Sequence, residues 1–274
     1  MLMAAERPIL YTGGGIINSG PEASTLLREL AEMTGAPVTS TLMGLGSYPA
    51  SGSQWLGMLG MHGTYEANFA MNKADLILCL GARFDDRVTG RLDAFSPNSK
   101  KIHVDIDRSS VNKNVLVDLP VIGDVGSVMA DMIAMLKKRG YAKPDFSEWW
   151  ARIEGWRARR SLDYVEGGEE IMPQRAIADL FTATRGKNVI ITTEVGQHQM
   201  WAAQHFHFDD PNKWLTSGGL GTMGYGLPAA IGAQLGNPDA LVIDIAGDAS
   251  IQMNIQELGT ATQYRLPVTI FILN

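Results

Sequence analysis

The residues with the clearest chemical potential follow an apolar segment near the C-terminal end of the chain. This segment is followed by Gly247, Asp248, Ala249 and Ser250. Gly247 lets the backbone approach a diphosphate closely, and Asp248 offers a hard carboxylate oxygen to Mg²⁺. The amides that open the next helix can hold phosphate oxygens. These four residues are therefore a candidate site for a diphosphate and a metal ion.

A Gly-Asp pair alone more often forms a turn and a helix N-cap. Here the pair is followed by a predicted helix and then by a second apolar strand that ends at Asn274. An amide oxygen at the end of this next parallel strand would lie beside the carboxylate of Asp248. The spacing therefore favours a metal site with Asp248 as a ligand.

Such strand ends need a parallel sheet to position them. In the second half of the chain, apolar periodicity predicts helices over 174–184, 218–235 and 254–264 and strands over 189–193, 241–246 and 268–273. Asn274 stands where a strand-to-helix loop should begin, so we expect the domain to continue beyond it.

The first half of the chain shows the same alternation. The pattern predicts strands over 7–12, 38–41, 76–80, 101–106 and 119–122 and helices over 22–34, 65–72 and 125–138. Alternation of this kind indicates a parallel sheet covered by helices. We predict the α/β class with two Rossmann-like parallel-sheet domains, the second truncated. The predicted boundaries are 1–140 for a nucleotide-binding domain, 141–170 for a linker with a helix, and 171–274 for a diphosphate-binding domain.

Composition limits the possible partners. The chain has 274 residues, of which 45% are hydrophobic, and a net charge of −6, so it should fold and has no basic field for nucleic acid or an anionic membrane. No apolar run reaches the length of a membrane span, and we expect a cytoplasmic protein. The single cysteine, Cys79, lies in an apolar run, which excludes an internal disulfide and predicts a thiol packed in a strand.

Three tryptophans, Trp149, Trp150 and Trp156, stand in a polar stretch between the two halves. Exposed tryptophans can stack on nucleic-acid bases. Because the surroundings are acidic, the favoured interpretation is an amphipathic helix packed on a domain surface.

Two long strings carry a family resemblance. Residues 194–201 (EVGQHQMW) and 216–230 (TSGGLGTMGYGLPAA) are similar to acetohydroxyacid synthase, also called acetolactate synthase. The strand-end pattern resembles the thiamine-diphosphate signature, Gly-Asp-Gly followed further along by Asn-Asn, whose Asp and second Asn bind Mg²⁺. Here Ala249 replaces the second glycine, and Asn274 matches only the first Asn.

The resemblance implies roles for several residues of the second half. Gly196, Gln197 and His198 match diphosphate contacts. Gly221 matches a backbone contact to the aminopyrimidine ring, and Met223 matches the large apolar residue that holds the cofactor in its bent shape. Taken alone, Met223 would more often be a core residue and His198 a surface histidine.

In the first half, residues 59–64 (LGMHGT), 80–90 (LGARFDDRVTG) and 103–107 (HVDID) resemble the FAD-binding elements of the same family. The residues that this resemblance implicates are Gly13, Gly14, Met61, His62, Gly81, Arg83, Asp85, Val88, Asp105 and Asp124. Arg83 can pair with a diphosphate, and Asp105 at a strand end can accept ribose hydroxyls. The alternative for Arg83 and its acidic neighbours is a surface ion-pair cluster of little energetic value.

The resemblance implies an enzyme that decarboxylates pyruvate and transfers the hydroxyethyl unit to pyruvate or 2-oxobutanoate. The products, 2-acetolactate and 2-aceto-2-hydroxybutyrate, lead to valine, leucine and isoleucine. The implied cofactors are thiamine diphosphate, Mg²⁺ and a structural FAD. Arg87 matches an arginine near the substrate entrance that would guide the keto-acid carboxylate.

The family works as a homodimer or tetramer, often with a small regulatory subunit. Its catalytic glutamate lies on an N-terminal domain that should precede Met1, so we expect this chain to be inactive as a separate fragment. Two alternatives stay open. One is a related carboligase of the glyoxylate carboligase or sulfoacetaldehyde acetyltransferase type, which residues 80–90 disfavour. The other is a non-catalytic FAD-binding module.

Overall fold

A computed structural model describes residues 1–165 and 167–274. The chain forms two compact units: Met1–Asp163 with Asp209–Pro211, and Tyr164–Phe208 with Asn212–Asn274. Each unit is built around its own sheet, in which all strand pairs are parallel. The predicted α/β fold with two parallel sheets is confirmed. The boundaries predicted at 140 and 170 stay a prediction.

The sheet of the first unit has six strands in the order β3-β2-β1-β4-β5-β6. These are β1 (Pro8–Thr12), β2 (Val38–Ser40), β3 (Trp55–Met58), β4 (Leu76–Leu80), β5 (Lys100–Asp105) and β6 (Leu119–Ile122). Every residue of β1 and β4 is buried, as expected for central strands covered on both faces. The strand order reverses between β1 and β4, so the loops after these two strands diverge there.

The helices of the first unit are α1 (Gly14–Asn18), α2 (Pro21–Thr34), α3 (Tyr65–Lys73), α4 (Asp86–Thr89), α5 (Val125–Lys138) and α6 (Ser147–Arg157). Short 3₁₀ helices cover Leu2–Ala4, Leu42–Gly44, Leu92–Ala94 and Arg108–Ser110. Residue types at the helix ends explain where several of these helices begin and stop. Helix α2 begins at Pro21 and is followed by Gly35, which has φ +73°. The side chain of Thr64 caps α3 by accepting a hydrogen bond from a backbone amide of its first turn.

Two apolar cores cover the faces of this sheet. One joins α2 and α5 to the sheet, and the other includes Trp149 and Ile153 of α6. The indole nitrogens of Trp149 and Trp150 donate to the carbonyls of Pro8 and Gly35, both at 3.1 Å. The prediction that these tryptophans pack on a domain surface is therefore confirmed. Cys79 is a buried free thiol, also as predicted.

The sheet of the second unit has the order β10-β9-β7-β8. Its strands are β7 (Val189–Thr193), β8 (Trp214–Thr216), β9 (Leu241–Gly247) and β10 (Thr269–Leu273). Its helices are α7 (Pro173–Ala183), α8 (Gln197–His205), α9 (Gly226–Gly236) and α10 (Leu258–Gln263), with a 3₁₀ helix over Ile251–Glu257.

Two predicted helices of this unit start later than expected. The helix predicted from 218 begins at Gly226, because Gly221 and Gly224 have φ values of +67° and +83° and the segment 218–225 is a loop. The helix predicted over 254–264 is α-helical only from Leu258, because the backbone departs from helical geometry at Asn254. In the described part of the chain, no helix is long and apolar enough to cross a membrane.

Candidate functional site

The strand order of the second unit defines an edge suited to a ligand. Strand β7 lies between β8 and β9, so the chain reverses direction across the sheet at β7 and β9. In open parallel sheets, ligands bind beyond the carboxyl ends of strands at such a point. The segments that leave these two ends are 194–198 and 247–250, both predicted from the sequence.

The register of β9 and β10 places Asp248, the predicted metal ligand, beside Asn274. Leu273 pairs with Gly247, so Asn274 and Asp248 follow at the same edge of the sheet. Both residues are exposed. The expected neighbourhood of these strand ends is confirmed, whereas the metal site stays a prediction. Among the described residues, no group of three or more His, Cys, Asp or Glu side chains could hold a metal ion.

This donor set nevertheless fits Mg²⁺. Magnesium is commonly held by one or two carboxylates together with phosphate and water oxygens, and does not need a cage of protein ligands. Asp248 supplies an accessible carboxylate. Asp248 lies in a turn over 247–250. The buried hydroxyl of Ser250 closes this turn by accepting a hydrogen bond from the amide of Gly247 at 3.2 Å. Ala249 is exposed at the same turn.

The ring of His198 packs against the glycines that follow β7 and end β9. His198 is 6% exposed, in the first turn of α8, so the alternative that it is a surface histidine is wrong. A Cβ on Gly247 would lie 2.7 Å from His198 Nδ1, and one on Gly196 would lie 2.8 Å from Cε1. Both glycines are therefore required for the ring to fit. Burial lowers the pKa of His198, against the opposing effects of the Glu194 backbone and the Asp248 charge.

The other candidates of the second unit lie around this edge. Gln197, the first residue of α8, is exposed, as is Gly221 in the loop. Met223 is 40% exposed, so the alternative that it is a core residue is wrong. An exposed methionine in a glycine-rich loop is available to a ligand.

Glu194 is a buried residue of the site that sequence reasoning did not single out. Its carboxylate accepts from the amide of Gly224 at 2.6 Å and from that of Leu227 at 3.1 Å. Asp244 of β9 is buried nearby and accepts from the Thr192 hydroxyl at 3.0 Å. Burial and the charge of Glu194 raise the pKa of Asp244 to about 7, against the effect of the Thr192 hydrogen bond. A carboxylate directly after an apolar strand was the available signal.

The first unit has a corresponding edge between β1 and β4. The amide of Gly15 donates to the Gly81 carbonyl at 3.0 Å, and a Cβ on Gly13 would lie 2.3 Å from the same oxygen. Gly14 is half-buried beside them. The glycine turn and the start of residues 80–90 therefore meet where a dinucleotide would bind.

Residues 59–64 reach the same edge. The amide of Met61 donates to the Arg87 carbonyl at 2.8 Å, and the side chain of Met61 is 64% exposed. His62 is also exposed, and Val88 is half-buried. Two segments far apart in the sequence are thus brought together by the fold.

The charged candidate residues of this unit differ in how many of their hydrogen-bonding atoms already have a partner within the protein. Arg83 lies 3.5 Å from Asp85 in an exposed pair, and Asp85 caps α4 by accepting from the amide of Arg87 at 3.2 Å. An exposed pair of this length contributes little to stability, as the alternative interpretation supposed. Most N–H groups of the Arg83 guanidinium therefore remain available to a ligand.

Asp105 and Asp124 are the acidic candidates. Asp105 is buried at the end of β5, accepts from the amide of Asp107 at 2.8 Å and lies 3.6 Å from His103. Asp124 accepts from the Ser19 hydroxyl at 2.7 Å and caps α5 through the amide of Ser127. These hydrogen bonds, that of Ser19 first, lower the pKa of Asp124. Both Asp124 oxygens therefore already have protein partners.

Comparison with known proteins gives matches over most of the chain. Residues 1–132 match the family described as thiamine pyrophosphate enzyme, central domain. Residues 194–274 match the family described as thiamine pyrophosphate enzyme, C-terminal TPP binding domain.

The chain is also similar along its whole length to individual proteins. It is 47% identical over 274 residues to the acetolactate synthase large subunit of Haemophilus influenzae, covering 47% of that protein. It is 48% identical over 275 residues to the acetolactate synthase isozyme 3 large subunit of Escherichia coli, again covering 47%. It is 48% identical over 275 residues to the chloroplastic acetolactate synthase of Arabidopsis thaliana, covering 40%. The chain spans about half the length of the curated relatives that it matches.

Proposed function

Because this chain belongs to the thiamine pyrophosphate enzymes, we propose that it is the central and cofactor-binding part of an acetolactate synthase large subunit. The observation that carries the proposal is the edge of the second sheet. There the ends of β7, β9 and β10 place His198, Asp248 and Asn274 at one point of strand reversal. The similarity to acetolactate synthase large subunits supports this activity over that of other thiamine pyrophosphate enzymes.

Thiamine diphosphate, when bound, supplies the nucleophilic carbon and the electron sink for decarboxylation of a 2-keto acid. In our proposal, Gly196, Gln197 and His198 hold its diphosphate, together with the amides at 247–250. His198 Nε2 supports the fit, because it is buried and has no partner among the described residues. Asp248 would hold Mg²⁺, whose charge would stabilise the diphosphate.

The loop 218–225 forms the wall on the aminopyrimidine side. Gly221 contributes a backbone contact, and Met223 supplies an exposed apolar side chain against which the cofactor can bend. The protein therefore orients the cofactor and excludes water from it.

The first unit binds FAD in this proposal. The glycines of the β1 and β4 ends allow close approach of a diphosphate, and the exposed guanidinium of Arg83 can pair with it. Asp105 would accept ribose hydroxyls, and the other residues assigned to this site are Met61, His62, Asp85 and Val88. Asp124 is the least supported of this set, because its carboxylate is already engaged. FAD takes no redox step in this chemistry and is structural.

The substrates are pyruvate as donor and pyruvate or 2-oxobutanoate as acceptor, and the products serve branched-chain amino-acid biosynthesis. Arg87, exposed in α4, guides the keto-acid carboxylate, for which its planar guanidinium is suited. A dimeric or tetrameric assembly, a small regulatory subunit and a cytoplasmic location remain predictions from the sequence.

The test is formation of acetolactate from pyruvate by the full-length gene product, with each cofactor withheld in turn. We expect product that disappears without thiamine diphosphate or Mg²⁺. Absence of acetolactate at saturating cofactors, with FAD still bound, would instead favour a related carboligase or a flavin-binding module. Product analysis with glyoxylate and sulfoacetaldehyde separates these two outcomes.

A further inference from the structure

The loop 218–225 is held at Gly224 from two sides. On one side, the buried carboxylate of Glu194 accepts from the Gly224 amide at 2.6 Å and, beyond the loop, from the Leu227 amide at 3.1 Å. On the other side, Asn254 Nδ2 donates to the Gly224 carbonyl at 2.6 Å. Gly224 directly follows Met223, so these bonds fix the backbone from which the methionine side chain projects.

The backbone is tightly packed at Gly224 and Gly226. Gly224 has φ +83°, and a Cβ there would lie 2.8 Å from Asn254 Nδ2. A Cβ on Gly226 would lie 2.3 Å from Asp244 Oδ1 and 2.7 Å from the amide nitrogen of Glu194. The loop is therefore pressed against Glu194, Asp244 and Asn254 at positions where only glycine fits.

A second buried carboxyl group, that of Asp244, lies against Gly226 next to the Glu194 backbone. Each oxygen of the Glu194 carboxylate accepts one backbone N–H bond. Asp244 accepts one hydroxyl bond through Oδ1, and its Oδ2 is buried without a partner in the described part of the chain. Glu194, and not Asp244, is therefore the carboxyl group that holds the loop backbone.

We propose that Glu194 is a positioning residue whose carboxylate fixes the loop 218–225, and with it Met223, through its two bonds to backbone amides. That this loop forms the wall of the thiamine pocket rests on the proposed function. The attachment of the loop to Glu194 does not depend on it.

The test compares Glu194→Gln with the wild-type full-length protein. Hydrogen–deuterium exchange is measured for peptides covering 218–227, and thiamine diphosphate binding is measured by fluorescence titration with Mg²⁺. A glutamine oxygen can satisfy only one of the two amides, and its NH₂ group opposes the other. We expect exchange in 218–227 to rise about tenfold or more and the cofactor Kd to weaken about tenfold or more. The value of kcat at saturating cofactor should change much less than Kd.

Matched variants separate positioning from general destabilisation. Glu170→Gln makes the same charge change at an exposed site of the second unit and should leave both readouts unchanged. Asp244→Asn, which supplies a neutral side chain of the same shape, should retain slow exchange in the loop at pH 7. Asn254→Ala removes the bond to the Gly224 carbonyl and should loosen the loop in the same direction as Glu194→Gln. It replaces that variant in the test if Glu194→Gln does not fold.

Wild-type exchange in 218–227 of the Glu194→Gln protein would overturn the inference. So would increased exchange spread evenly over the second unit, since that would mean a general structural role. If the wild-type protein does not bind thiamine diphosphate at all, the proposed function fails, and the exchange data alone decide whether Glu194 holds the loop.

Discussion

At the level of single residues, the proposed metal site depends on the carboxylate of Asp248. Substitution by asparagine keeps the size of the side chain and removes its charge, so the variant should require about 100-fold more Mg²⁺ for half-maximal activity. A titration of acetolactate formation with Mg²⁺ at fixed thiamine diphosphate measures this. Asp239→Asn, an exposed aspartate before β9, is the control and should behave as wild type. An unchanged Mg²⁺ requirement in Asp248→Asn would remove Asp248 from the metal site.

Asp244 should make the free energy of unfolding fall as pH rises, whereas a typical paired carboxylate makes it increase. Its pKa in the folded protein is raised to about 7, whereas an aspartate in the unfolded chain titrates near ~4. Between these values the folded state retains a proton that the unfolded state has released. The contribution of Asp244 to stability is therefore complete below pH ~4, is lost progressively as pH rises to about 7, and is absent above it.

Asp244→Asn cannot ionise and should escape this loss. Its stability relative to wild type should rise with pH across that window, by about 4 kcal/mol at most. Thermal unfolding of both proteins between pH 5 and pH 8.5 measures the difference, with Asp239→Asn as the control. A difference that stays constant with pH would show that Asp244 is ionised throughout.

Sequence reasoning found some residues of this site and missed others for a physical reason. Asp248 and Asn274 could be paired from spacing alone, because the ends of adjacent parallel strands must meet. Glu194 could not be assigned a role, because its partners are backbone amides about 30 residues away along the chain, and no residue type marks them. The exposure of Met223 and the burial of His198 likewise depend on tertiary packing.

At the level of elements, the approach of β1 and β4 depends on glycines at their carboxyl ends. A Cβ on Gly13 would lie 2.3 Å from the Gly81 carbonyl oxygen, so Gly13→Ala must separate the two strand ends. We expect a loss of about 1–3 kcal/mol in stability and a clear loss of FAD retention. Gly13 has an ordinary φ of −134°, so the effect is steric and does not arise from backbone strain.

Gly155 provides the opposite case within the same unit. It lies inside α6, and a Cβ there would meet nothing within 4 Å. Gly155→Ala should stabilise the protein by about 0.5–1 kcal/mol through reduced entropy of the unfolded chain and leave FAD binding unchanged. Denaturant unfolding and flavin absorbance after gel filtration measure both variants. Equal behaviour of the two would contradict the steric argument.

The elements predicted well are those with strong internal patterns. Strand β4 and helix α5 have the predicted bounds, because an apolar run and an amphipathic repeat define each one locally. The short strands β3 and β8 and helix α8 were missed. The amphipathicity of α8 is weak because it buries polar residues, including His198 and Gln199, against the sheet. Its helical form therefore follows from tertiary contacts that a periodicity does not record.

At the level of the whole molecule, each apolar cluster found among the described residues falls within one unit. Two of these clusters are built from residues before Asp163, and two lie after it. Each sheet also has its own point of strand reversal. This organisation predicts that the first unit can be studied without the second, provided that all of its covering helices are retained.

The position of α6 gives this prediction a sharp test. Phe146, Trp149 and Ile153 belong to the core on one face of the six-stranded sheet, so a protein ending at 140 would expose that face. A protein of residues 1–163 should unfold in one cooperative transition and bind FAD. A protein of residues 1–140 should lose several kcal/mol in stability, because truncation of a single buried Phe or Trp side chain already costs about 3–5 kcal/mol. Thermal unfolding by near-ultraviolet circular dichroism compares the two. Equal stability would place the domain boundary at 140, as the sequence predicted, and would make α6 an accessory of the fold.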